Sequence, residues 1–133
     1  MTSPARGTFE TQATPHPPYD EADGVALGRM SIEKRFEGDL VATSHVEMIA
    51  ARTAVPASAG YVALERVRGT LHGRAGSFVL QHSGTMNRGV SSLTVTVVPD
   101  SGTGELKGLS GAMTIDRQDG KHLYVFDCSL PDA

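Results

Sequence analysis

The chain has 133 residues, a size usual for one domain, with 39% hydrophobic and 20% charged residues, so a single core can form without disulfides or metal. Twelve basic against fifteen acidic residues give a formal charge of −3, and no basic stripe of the kind that tracks nucleic acid dominates. Cys128 is the only cysteine, which excludes an intrachain disulfide, while the absence of an early apolar run and of about 20 consecutive apolar residues argues for a cytoplasmic, non-membrane protein.

The opening residues 1–5 read as a flexible tail and 6–133 as one domain. Apolar residues rarely recur at helical spacing. β-branched, alternating runs separated by Gly, Pro, Asp and Asn instead predict eight strands, near 6–13, 27–37, 40–51, 60–71, 76–87, 91–98, 111–117 and 121–128. Pro15, Pro17 and Pro18 break the first run, so residues 14–26 are expected to lie over one end of the fold. Gly38-Asp39 suits a tight hairpin in which Met30 faces Glu47 and Ile32 faces His45. That register puts Glu47 on one face with Met30, Ile32 and Ile49.

Further along, Gly73-Arg74 fits a type II′ turn that sets Glu65 directly opposite His82. Both then share the mostly apolar face of Tyr61, Ala63, Val67, Phe78, Leu80 and Met86, while Val62, Leu64 and Val79 face outward. A three-residue loop would bring Ser83 opposite Glu65 instead. Arg66 and Arg68 share an outer face. Asn87-Arg88-Gly89 is another turn, residues 99–110 form a glycine-rich loop rather than a helix, and Asp119-Gly120 suits type I′. That last turn places Ile115 opposite Tyr124 and Met113 opposite Phe126. Antiparallel strands with near-neighbour hairpins favour an all-β, eight-stranded up-and-down barrel, whose interior is just filled by side chains or holds one small ligand.

A carboxylate inside an apolar barrel has its charged form disfavoured, which suits a general acid or base. Glu65 is the candidate, His82 its orienting partner, and Tyr61 a hydrogen-bond donor to a carbonyl or oxyanion. Glu47, Met30, Phe78, Leu80, Met86 and Tyr124 are the candidate substrate-lining residues. Equally, Glu65 and His82 can simply satisfy one another in a filled core. Five histidines include no His-x-x-x-His or His-x-His pair, so no metal site is expected. Cys128 reads as a buried thiol, and Gly102-Thr103-Gly104 lacks the Lys-Ser/Thr of a phosphate loop.

The segments GYVALERV, GSFVLQHSGTM and VVPDSGTGELKGLSG, within residues 7–128, resemble a bacterial family of unknown function whose barrel is similar to allene oxide cyclase. The resemblance implies kinship with allene oxide cyclases, dirigent proteins and some polyketide cyclases. Those barrels steer an apolar, reactive substrate without a metal or organic cofactor, and they form homo-oligomers, often dimers or trimers. No cyclase motif is recognisable here, so no catalytic residue carries over. Three functions stay open: a cofactor-free cyclase, isomerase or lyase acting on a small apolar carbonyl compound; a barrel that binds a small apolar molecule without chemistry; and a structural, oligomer-forming protein.

Overall fold

The alternating runs do form strands, and the strands close on themselves. The computed structural model describes residues 2–131. In chain order the strands are β1 (Thr2–Pro15), β2 (Asp20–Ala22), β3 (Val25–Gly38), β4 (Leu40–Arg52), β5 (Ala59–Leu71), β6 (Arg74–Asn87), β7 (Val90–Val97), β8 (Ser110–Gln118) and β9 (Lys121–Ser129). Sequential strands from β3 to β9 pair antiparallel, β9 pairs with β1, and β1 returns to β3. The result is the expected eight-stranded antiparallel barrel, with β2 added as a short strand beside the start of β3. The seam between β7 and β8 is the thinnest, bridged at Thr96 and Ala112.

Strand β1 begins earlier than the sequence suggested. Residues from Thr2 onward pair with β9, and Ala5 is fully buried opposite Phe126, because β9 runs on to Ser129 and its edge groups need a partner. Most of the expected tail is therefore strand; Met1, Asp132 and Ala133 lie outside the described residues.

Register decides which side chains meet. At the β8–β9 turn Asp119 and Gly120 both have positive φ, as type I′ requires, and Ile115–Tyr124 and Met113–Phe126 are paired as expected. The β5–β6 turn is His72-Gly73 rather than Gly73-Arg74, again with both φ positive, so Glu65 lies opposite Leu80 and His82 opposite Ala63. This two-residue slip leaves every side chain on its expected face. The β3–β4 hairpin differs by one residue: Met30 faces Met48, Ile32 faces Val46, and Glu47 faces Ser31. Gly38, at φ 109°, absorbs the extra residue in a conformation that favours glycine. The whole face of β4 reverses, so Leu40, Ala42, Ser44 and Val46 point inward while Glu47, His45 and Ile49 point out.

One end of the barrel is filled. Leu40, Leu71, Phe78, Leu106, Leu109 and Phe126 pack there, under the glycine-rich loop after β7. That loop is ordered along β6, with Thr103 N–H donating to Ser77 O at 2.8 Å and Val79 N–H to Ser101 Oγ at 3.0 Å, and it contains one 3-10 turn, Gly104–Leu106. The other end, ringed by residues 16–24, 53–58 and 88–89, is open, and its residues are largely exposed. Outside, Val62 and Leu64 are exposed as expected.

Candidate functional site

Midway along the barrel, four polar side chains from four adjacent strands converge in an otherwise apolar interior. Glu65 on β5 has no exposed surface. Its Oε1 accepts from His82 Nε2 on β6 at 2.7 Å and from Lys34 Nζ on β3 at 3.2 Å, and its Oε2 accepts from Ser44 Oγ on β4 at 2.6 Å. Inward parity points all four into the barrel, and the registers bring them together. Lys34 pairs with Ser44, Glu65 lies two positions from Val67, the partner of Ser44, and His82 lies opposite Ala63, two positions from Glu65. The Lys34 ammonium also sits 4.7 Å from the centre of the Phe9 ring, a cation–π contact that helps it tolerate burial.

Burial alone would raise the Glu65 pKa. The His82 hydrogen bond, the Lys34 charge and the Ser44 hydroxyl together outweigh it and hold the carboxyl below its ordinary value. The expected contact between Glu65 and His82 is present, but its electrostatic setting is the reverse of a poised base. Here the carboxylate is kept ionised by three donors and has no open side.

Tyr61 stands one inward position beyond Ala63, toward the open end. Its ring lies against Gly84, where a Cβ would overlap it. Desolvation raises the Tyr61 pKa, and the Glu65 charge adds to this, so the hydroxyl stays protonated. Tyr61 belongs to a cavity of about 350 Å³ whose wall also includes Met48, Ala50, Met86 and Leu93. A second cleft of about 230 Å³, lined by Pro15, Pro18, Met30 and Met48 among others, adjoins it.

Residues 5–128 match the family model described as a protein of unknown function, DUF3224. The chain belongs to the DUF3224 family. A crystal structure of a DUF3224 protein of unknown function from Shewanella oneidensis MR-1 is similar to it at 47% identity, covering 99% of this chain and 100% of that one with a TM-score of 0.93. No curated protein matches the sequence.

Within this DUF3224 barrel the expected site residues fall in five different places. Glu65 and His82 form the buried floor, whereas Tyr61, Met30 and Met86 line the clefts above it. Phe78 and Leu80 are buried in the packed core and line neither cleft. Tyr124 is held at the closed end, where its hydroxyl accepts from Leu40 N–H at 3.0 Å and donates to Glu37 O at 3.0 Å. Its role there is to tie β9 to the β3–β4 turn. Glu47 is on the outer surface, bonded to Ser31 and His45, because the β3–β4 register reversed its face.

Lys34 and Ser44 complete the buried cluster, and Arg52 lines both clefts. Sequence parity could have found Lys34, since it alternates with Ile32 and Phe36 on β3. Ser44 needed the correct hairpin register. Among the described residues no group of three or more His, Cys, Asp or Glu side chains could hold a metal ion, and no helix is long and apolar enough to cross a membrane.

Proposed function

We propose that this DUF3224 protein binds a small apolar molecule in the open mouth of its barrel, between β4, β5, β6 and β7. The observation that carries this reading is the cavity of about 350 Å³, walled by Met48, Ala50, Tyr61, Met86 and Leu93. Its size falls within the usual range for small-molecule sites, roughly 300–1,000 Å³, and such sites combine apolar walls with few polar groups.

The buried floor favours binding over acid–base turnover. A general base must come within hydrogen-bond reach of the proton it removes. Glu65 has no exposed surface, its oxygens are engaged by Lys34, Ser44 and His82, and its carboxyl is held ionised. These groups answer one another and leave the cavity above them to a ligand.

Fluorescence titration with N-phenyl-1-naphthylamine, an apolar probe, tests the reading. Wild-type protein should give a saturable rise in emission. Ala50→Phe, which fills the shared wall of both clefts, should abolish that rise while leaving the far-ultraviolet circular dichroism unchanged. No saturation with the wild type, or an unaltered titration with a folded Ala50→Phe variant, refutes it.

A further inference from the structure

The two clefts at the open end meet along β4. Met48, Ala50 and Arg52 alternate along that strand, the first two half-buried and Arg52 exposed at its end, and all three line both. The wall of the larger cleft is otherwise apolar or neutral, and that of the smaller one is built on Pro15, Pro18, Ala26 and Met30. The charged groups in these walls are all of one sign. Arg52 borders both clefts, Arg29 borders the smaller beside the His16 ring, and no carboxylate lines either. This happens in a chain with more acidic than basic residues and a formal charge of −3.

The two arginines differ in what already answers them. Arg29 has Glu47 at 3.6 Å and lies 3.3 Å from His16 Nε2. Arg52 has no ion pair or side-chain hydrogen bond with any described residue. Glu21 and Asp23 share a third, shallower depression with it, yet neither comes within ion-pair distance. A guanidinium at the junction of two greasy lobes offers a planar fork of donors that matches a carboxylate.

We infer that the ligand is an amphipathic monocarboxylate, with its apolar body in the lobe beside Tyr61 and Met86 and its carboxylate on Arg52. This rests on the mouth being a ligand site, as proposed above, and adds the class of ligand. An apolar body alone would explain the walls but would leave the one-sided charge without a purpose. The head group accounts for both.

Isothermal titration with octanoate, octan-1-ol and octyltrimethylammonium, against wild type and Arg52→Gln, tests the assignment. Octanoate should bind wild type about tenfold more tightly than octanol, the cation should bind most weakly, and added salt should weaken octanoate alone. In Arg52→Gln the octanoate-to-octanol ratio should fall to about one, with octanol affinity unchanged. Octanol binding with octanoate no tighter, or a ratio that survives Arg52→Gln, overturns the head-group assignment and leaves the apolar site standing. Failure of all three probes to bind removes both.

Discussion

Replacing Glu65 by Gln preserves the shape of the side chain and deletes its charge, stranding the Lys34 ammonium in a site where that side chain is 8% exposed. Breaking a buried ion pair by removing one partner costs about 3–5 kcal/mol, since the remaining charge stays desolvated. The amide still meets Ser44 and His82, so the lower part of that range, about 3 kcal/mol, is expected. For a chain of this size, that corresponds to a fall in Tm of about 10 °C, at roughly 3–4 °C per kcal/mol. Urea unfolding followed by circular dichroism measures the loss directly. The double variant Glu65→Gln with Lys34→Met removes both charges and should recover most of it. Acid supplies a second arm. The Glu65 carboxyl is held below its ordinary value of 4.5 in the folded protein, so its contribution is complete above that value and is lost as pH falls through the folded pKa. The gap between wild type and Glu65→Gln should therefore narrow in acid. A loss below about 1 kcal/mol, or a double variant no more stable than the single one, would refute the charge-pair reasoning.

Tyr124→Phe leaves the Leu40 N–H without its acceptor at the closed end and should cost about 1–3 kcal/mol in urea unfolding, whereas a neutral result would mean that water replaces the hydroxyl. His45 on the outer face takes its largest upward pKa push from the Glu33 hydrogen bond, with Glu47 second, so its contribution to stability is complete below the ordinary 6.5 and fades as pH climbs through the raised folded value. Nuclear magnetic resonance titration of the ring should show a midpoint above 6.5 that drops in Glu33→Gln; an unmoved midpoint speaks against the assignment. Gly84→Ala forces the Tyr61 ring aside and should cost about 1–3 kcal/mol, a penalty that shrinks in a Tyr61→Leu background; equal losses in the two backgrounds would exclude that contact as the cause.

The barrel and the meeting of Glu65 with His82 were legible in the sequence because both depend on parity. The β5–β6 register slipped by two residues from the expected one, and a two-residue slip preserves faces. At β3–β4 the slip was one residue, and it turned Glu47 from the interior to the surface. The signal that could have corrected this lies in β4 itself. Its even positions, Leu40 to Ala50, carry no charge, whereas its odd ones include His45 and Glu47. Gly38 was visible as a turn residue, but its role as the site of an inserted residue depends on Asp39 N–H reaching Arg6 O on β1, a contact between distant parts of the chain. Tyr124 was hidden for a similar reason, since its hydroxyl answers a backbone amide 84 positions away. The clefts follow from how the loops leave the open end, which alternation along a strand does not encode.

Strand β1 holds β3 on one side and β9 on the other, with Gly7 to Phe9 paired to both. A ribosome delivers these two partners at opposite ends of synthesis. While β3 can zip to β1 early, the second flank of β1 must wait until β9 has emerged, as a bare edge open to other nascent chains. The β1–β9 pairing is thus the last that synthesis permits, a sequence-distant contact of the kind that slows β proteins. A chaperone that shields the β1 flank would act on this one vulnerable interval.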